Sequence, residues 1–381
     1  MRSILAKNII WQKILEYKDP IFIFFLTRIL TLFVGVYASA LIPLSGHARV
    51  NDNVFLDIFL KWDYGWYKDI ALKGYSINPG SQSNVVFYPL YPFITRIINV
   101  IFQNIDLSLL LVANVCFLLA LILLYRIVKD RFDDQIAFRA CFYLSIFPTS
   151  FFFSSSYTES LFLFLLLLCF FFVEKGKWWE AGITGYLLAL TRNVGSVMFL
   201  AVGFKYLENI KWKLKEIKPN LLWTFLIALG IPTFMLILFL KTGNPLAFLT
   251  EQKYYFKELY PPWVAFQRTF DTLTSGNILY GNYDYIRLFI SMMVMLFICT
   301  FYGIYQRLGL SYLIYALGAF LIPLFSGTLV SMERYVLVLF PSFIIFAIWG
   351  KNKYVNYSLT MAFLLFLTIE FVLCANMYWS F

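Results

Sequence analysis

The sequence predicts an all-α polytopic membrane protein, a bundle of about eleven transmembrane segments with interfacial helices in two outer loops. Three observations carry this reading. Hydrophobic residues make up 61% of the 381 positions and charged residues only 14%, more apolar side chain than a soluble domain of that length can bury. Apolar segments recur from residue 21 to residue 378, with no soluble linker, repeat or low-complexity tract between them, so residues 1–381 read as a single transmembrane domain. The basic residues behind the formal net charge of +10 sit in short loops between segments, where they orient the chain rather than bind nucleic acid.

Taken in order, Arg2, Lys7, Lys13 and Lys18 place the amino terminus in the cytoplasm, and a first segment from Ile21 to Leu44 is long enough to stay as a signal anchor. An outer loop over about 45–106 follows. In it Phe55, Phe59, Trp62, Trp66 and Ile70 fall on one stripe of a helix, and the Phe87-Tyr88-Pro89-Leu90-Tyr91-Pro92 turn opens a second short helix ending near Phe102. Leu107 to Leu124 returns the chain to a basic turn, and Ile136 to Phe153 comes out again at Ser154 to Ser160, small polar residues suited to a tight turn and a helix start. A fourth segment descends to Glu174-Lys175-Gly176-Lys177.

Trp178 to Leu207 has basic, cytoplasmic-looking residues at both ends and Thr191-Arg192-Asn193-Val194-Gly195 in its middle. Each half has about thirteen residues, roughly 20 Å of helix against a core of about 30 Å. This predicts two short helices dipping into the membrane, or two thin spans, with Arg192 at the bend, where irregular backbone is tolerable only inside protein or beside a wet cavity. Leu221 to Leu240 leads to a second outer loop over about 241–285, dense in rings from Tyr254, Tyr255 and Phe256 to Trp263 and Phe266. Ile286 to Tyr305, Leu308 to Ser326, Tyr335 to Trp349 and Tyr354 to Met377 complete the bundle.

Several chemistries are excluded early. His47 is the lone histidine, which removes a histidine triad or a multi-histidine metal site. The five cysteines lie inside apolar segments without metal spacing and read as packing residues. No glycine-rich phosphate loop is present to hold a soluble nucleotide, so an activated substrate is expected to arrive as a lipid. No metal site and no resident cofactor are expected.

The polar motifs converge on the outer half: Trp62-Asp63, Tyr157-Thr158-Glu159-Ser160, Arg192-Asn193 and Glu333-Arg334-Tyr335. A carboxylate at the membrane border can take a proton from an alcohol in the transition state, and a guanidinium can neutralise a departing phosphate through two parallel hydrogen bonds. Rings can stack on a sugar or hold a polyprenyl tail. Plainer roles stand beside these. Glu159 suits the first turn of a helix, Trp62 and Trp66 would anchor any interfacial helix, and Arg334 with Tyr335 could do the same. Asp69 stands six positions beyond Asp63, turned away on a helix, which suits a structural part or an acceptor contact. Arg192 needs a partner, and a phosphate is favoured over Glu159.

Trp62-Asp63, Trp66-Tyr67, Ile70-Ala71, Gly74-Tyr75, the Phe87 to Pro92 turn, Phe147-Pro148 through Phe162 and Thr191 to Gly195 occur in an order that resembles the GPI mannosyltransferase II (PIG-V) type family of the GT-C superfamily. The resemblance spans roughly residues 60 to 195, and the carboxyl-terminal half matches mainly in hydropathy. It implies a GT-C-like bundle moving mannose or a similar sugar, with inversion, from a polyprenyl- or dolichyl-phosphate donor to a lipid- or glycan-linked acceptor. The reaction would lie on the non-cytoplasmic face of a bacterial or archaeal plasma membrane. By position Asp63 is the implied catalytic acid. Trp62, Trp66, Tyr67, Asp69, Tyr91, Glu159, Arg192, Asn193, Arg334 and Tyr335 are candidates for substrate contact. Trp66 and Tyr67 stand where the eukaryotic pattern has histidine and phenylalanine, which argues against a GPI-anchor acceptor. A lipid-linked sugar transporter and a glycan polymerase or ligase are the rival readings. One broken segment, rather than a pair in two halves, counts against the transporter.

Overall fold

A computed structural model describes residues 16–46, 48–255, 258–274 and 283–378, apart from the side chains at 272–273 and 283–288. The basic amino terminus, His47, Phe256 and part of the 241–285 segment expected as a second outer loop lie outside the described residues.

Helix α1 (Lys18–Leu41) crosses first. A four-residue helix, α2 (Val54–Asp57), follows, with the Asn53 side chain capping the Phe55 amide, and then α3 (Tyr64–Lys73). These two replace the single interfacial helix expected from the stripe. Trp62 adopts φ +54°, a left-handed conformation that a continuous α-helix of L-residues excludes, and the stripe breaks there. Pro89 opens α4 (Leu90–Phe102), which buries Leu90, Tyr91 and Thr95 and exposes Phe93, Ile97, Val100 and Ile101, an amphipathic helix suited to an interface.

Asn104 caps α5 (Ile105–Arg131), and Asp133 caps α6 (Asp134–Ile146). Phe147 is extended before Pro148, so α6 stops well short of the Phe153 expected. A buried 3-10 turn, Ser150–Phe153, then leads to α7 (Glu159–Glu174). The α8 (Trp178–Ala189) and α9 (Met198–Asn209) helices have 12 residues each, joined through a 3-10 turn at Asn193–Val197. This is the short-helix pair read from the sequence, with Arg192 at its break.

Beyond them, a 3-10 turn (Pro219–Thr224) runs into α10 (Phe225–Ala228), and this Pro219–Ala228 piece forms one apolar pair with α11 (Gly230–Thr242), bent by 42°. The loop after α11 holds α12 (Ala247–Thr250) and α13 (Trp263–Thr274). Then come α14 (Tyr283–Ile298), α15 (Phe301–Leu308), α16 (Leu310–Leu324), α17 (Met332–Tyr335), α18 (Phe340–Trp349) and α19 (Lys353–Ala375). Among the described residues, 4 helices are long and apolar enough to cross a membrane, or up to 6 when each bent pair counts as one. The remaining apolar segments form shorter helices, because breaks such as Phe147-Pro148 and Leu190–Val197 divide them.

At the centre, α5 packs against α1, α4, α6 and α7. Phe117 stacks on Phe153 with centroids 4.2 Å apart, and Phe147, Phe151 and Phe152 are fully buried beside them. Arg28, which the sequence places inside the first segment, is explained by this break in the backbone. Its guanidinium donates to the Ser145 carbonyl (2.9 Å), the Ser150 carbonyl (3.0 Å) and Ser154 Oγ (3.1 Å). It bonds the Ser145 carbonyl in the last turn of α6, shared with Ser150 Oγ at 2.7 Å, and the Ser150 carbonyl that opens the 3-10 turn. Arg28→Met is expected to lower the thermal midpoint in detergent by several degrees, since losing three buried hydrogen bonds to a charged group costs roughly 1–3 kcal/mol even where Ser145 and Ser154 keep their bonds to Ser150 and Asn114.

Candidate functional site

The site lies at the end of the bundle where α5 and α7 begin and α1 and α19 finish, joined there by Ser45 N donating to the Asn376 carbonyl (2.9 Å). Four segments far apart in sequence each send one charged side chain to it. Asp63 stands at the N-cap of α3, Glu159 opens α7, Arg192 precedes the 3-10 turn after α8, and Arg334 belongs to α17.

They form a chain of alternating charge. Arg192 NH1 donates to Glu159 Oε1 at 2.6 Å, so the protein supplies a carboxylate partner for it. Arg334 Nε approaches the same oxygen at 3.2 Å, though without hydrogen-bond alignment, and Arg334 NH1 reaches Asp63 Oδ2 at 3.3 Å. Asp63 is the most open of the four, with 29% of its side chain exposed against 1% for Glu159. Two carboxylates and two guanidinium groups leave the cluster neutral, which makes burial of its inner members tolerable. Glu159 Oε2 is buried and has no hydrogen-bond partner among the described residues.

Rings hold the arginines in place. The Arg334 guanidinium lies 5.1 Å from the centroid of Tyr157, 5.5 Å from Phe152 and 5.6 Å from Tyr335, and Arg192 lies 5.1 Å from Tyr335. Tyr67 is buried edge-on against Phe87 and Tyr91, both at 5.2 Å. Burial first, and then the neighbouring Asp63 and Glu159 carboxylates, push its phenol above the ordinary tyrosine range, so it remains a neutral hydroxyl. Trp66 stacks on Phe87 at 6.1 Å, and Tyr255 from the loop after α11 closes edge-on over both. The loops after α1 and α11 also meet through Tyr255 OH, which donates to the Ser83 carbonyl at 2.9 Å.

Other candidates stand apart from the charged chain. Asp69 pairs with Lys73 (2.9 Å) on the exposed side of α3. Tyr91 is fully buried and donates to the Leu109 carbonyl at 2.9 Å. Asn193 is exposed, its Oδ1 accepting from the Val194 amide at 2.8 Å. Trp62 is partly buried and packs against the core beside the site. Among the described residues no group of three or more His, Cys, Asp or Glu side chains could hold a metal.

The sequence reading missed the polar frame around Asp63. Lys61 bonds Asp57 at 2.6 Å with both buried, and Asp57 also accepts from the Val50 and Asn51 amides. Tyr64 OH donates to Asp106 Oδ1 at 2.6 Å, and Lys68 Nζ lies 2.9 Å from the same oxygen. The four-residue spacings Asp57 to Lys61 and Tyr64 to Lys68 were the available signal. On the opposite side, Gly195 lets the turn after Arg192 pack against α8. A Cβ there would sit 2.5 Å from the Leu188 carbonyl oxygen. Gly195→Ala is therefore expected to cost about 1–3 kcal/mol and to be read as a lower thermal midpoint with weakened Arg192 function.

Residues 86–238 match the family model of dolichyl-phosphate-mannose-protein mannosyltransferase. No curated protein matches the sequence. The structure is similar to ArnT from Cupriavidus metallidurans bound to undecaprenyl phosphate, at TM-score 0.51 and 12% identity, covering 92% of this chain and 75% of that one. Similarity to the apo oligosaccharyltransferase of Archaeoglobus fulgidus has TM-score 0.46 and 14% identity, covering 94% of this chain and 56% of that one. The same organism's AglB with an inhibitory peptide and a dolichol-phosphate gives TM-score 0.41 and 13% identity, over 93% and 55%. The chain thus spans little more than half the length of the oligosaccharyltransferase chains. With its all-helical bundle and the likeness to ArnT, the chain has the GT-C membrane fold.

Proposed function

We propose that this chain is a membrane glycosyltransferase that moves a sugar from a polyprenyl- or dolichyl-phosphate donor to a hydroxyl of a lipid- or glycan-linked acceptor, with inversion, on the non-cytoplasmic face. The observation that carries the reading is the chain Asp63–Arg334–Glu159–Arg192, a partly open carboxylate bonded to a ring-held arginine. The acceptor hydroxyl attacks the anomeric carbon as the bond from that carbon to the phosphate oxygen breaks. The hydroxyl proton passes to Asp63, and the polyprenyl phosphate leaves with its added negative charge turned to Arg334 and Arg192.

Before the donor binds, Asp63 shares Arg334 with Glu159. A donor phosphate drawing Arg334 to itself frees the Asp63 carboxylate to accept the hydroxyl proton, which couples donor binding to activation of the acceptor. Trp66, Phe87 and Tyr255 offer a ring-lined wall for a sugar or for the first units of a lipid tail. Mannose as the sugar, and a PIG-V-like place within the superfamily, are what the resemblance of the sequence motifs implies. The matching family model, whose description names a mannose donor, supports the first of these.

The experiment that separates this reading from a lipid-sugar transporter follows the label. Purified protein in sealed vesicles, given polyprenyl-phosphate mannose labelled in the sugar and a lipid extract as acceptor, is expected to move the label onto a new, acid-stable linkage and release polyprenyl phosphate. Label that crosses the bilayer still attached to its original phosphate would overturn the reading.

A further inference from the structure

The residue before Asp63 is in an unusual conformation, and one hydroxyl holds the chain on both sides of it. Trp62 has φ +54°, a region that side chains other than glycine, asparagine and aspartate occupy at a cost. The Tyr157 hydroxyl accepts from the Asp63 amide at 3.1 Å and donates to the Lys61 carbonyl at 3.2 Å, bracketing Trp62 from either side. The Tyr157 ring is 1% exposed and stands edge-on to Phe152 at 4.8 Å, so the hydroxyl is held by packing rather than by its own bonds. A second tie from the same segment, the Ser156 amide to the Phe59 carbonyl at 3.3 Å, anchors the strand of chain entering the turn.

The same phenol ring faces the Arg334 guanidinium at 5.1 Å. Tyr157 therefore touches the backbone of the proposed base through its hydroxyl and the arginine bonded to that base through its ring. Asp63 makes no side-chain capping bond to its own helix, which leaves its carboxylate direction to be set by the backbone turn at Trp62 and by Arg334.

We propose that Tyr157 is a positioning residue for the transfer: its hydroxyl maintains the left-handed turn at Trp62 and thereby aims the Asp63 carboxylate at the acceptor. This rests on Asp63 being the base. Misplacing a reacting group by about 1 Å can cost as much as about 10²-fold in rate without altering what binds. The hydroxyl thus governs the chemical step, whereas the ring contributes to holding Arg334.

Tyr157→Phe keeps the ring and removes both bonds. In the transfer assay kcat is expected to fall by about tenfold or more while affinity for polyprenyl phosphate stays within about threefold of wild type. An unchanged kcat, or affinity falling in parallel with kcat, would overturn the positioning role. A second comparison covers the case in which Tyr157→Phe fails to fold. Trp62→Asn and Trp62→Ala both lose the indole, but asparagine tolerates the left-handed conformation far better than alanine. The asparagine variant is expected to keep several-fold more kcat, and equal values would overturn the proposal. A wild-type protein that transfers no sugar would sink the function itself. Wild-type transfer lost in Asp63→Asn but retained in Tyr157→Phe would sink this inference alone.

Discussion

Asp63→Asn is expected to abolish transfer by about 10²–10⁴-fold while the protein inserts and folds normally. The range is that of removing a positioned general base. Asparagine keeps the size and one hydrogen-bonding oxygen, so the contact with Arg334 at 3.3 Å weakens rather than vanishes. Asp63 itself is partly open to solvent and the buried Arg334 keeps Glu159 beside it at 3.2 Å, so the damage falls mainly on the chemistry. Initial rates with polyprenyl-phosphate mannose, measured in washed membranes alongside a check of protein level and insertion, test this. Full activity in a correctly inserted variant would end the role proposed for Asp63.

The second large effect is expected at Arg334. Replacing it with methionine retains apolar volume among Phe152, Tyr157 and Tyr335 but leaves Glu159 bonded to Arg192 alone and Asp63 without its cation. Two losses follow. Breaking a mostly buried ion cluster by deleting one member costs about 3–5 kcal/mol where the remaining charge cannot reach water, and Arg192 at 2.6 Å should hold the cost towards the lower end. Losing a cation aimed at a leaving phosphate costs about 10²–10³-fold in kcat. Arg334→Lys restores charge but not the planar fork, and is expected to recover stability more fully than rate. Thermal midpoint and kcat measured on the same preparations separate the two losses; a rate that recovers fully with lysine would show that only the point charge matters.

Much of this architecture was readable from residue types because the bilayer makes strong demands on sequence. The long apolar runs of α1, α5 and α19 have no other plausible environment, and a run interrupted at Thr191 to Gly195 with an arginine inside could only be a broken pair. Glu159 among small polar residues announced a helix start at the site end. What the sequence hides is long-range pairing. Asp63 and Arg334 are 271 positions apart, and neither has a local pattern that names the other. Nor does the sequence say that Arg192 leans on Glu159 of the neighbouring helix, 33 positions away. The helical stripe from Phe55 to Ile70 failed for a single local reason, a tryptophan in a backbone region that periodicity cannot reveal. Asp106 likewise reads as a loop edge until the structure brings Tyr64 and Lys68 to it.

The central claim is that Asp63 and a donor phosphate compete for Arg334. Binding of polyprenyl phosphate to purified protein, compared across wild type, Asp63→Asn and Arg334→Met, tests it directly. The account predicts that Asp63→Asn binds at least as tightly as wild type, because a competing carboxylate has lost its charge, and that Arg334→Met binds about tenfold or more weakly, the loss of one charge-assisted contact. Equal weakening in both variants, or no change in either, would contradict it.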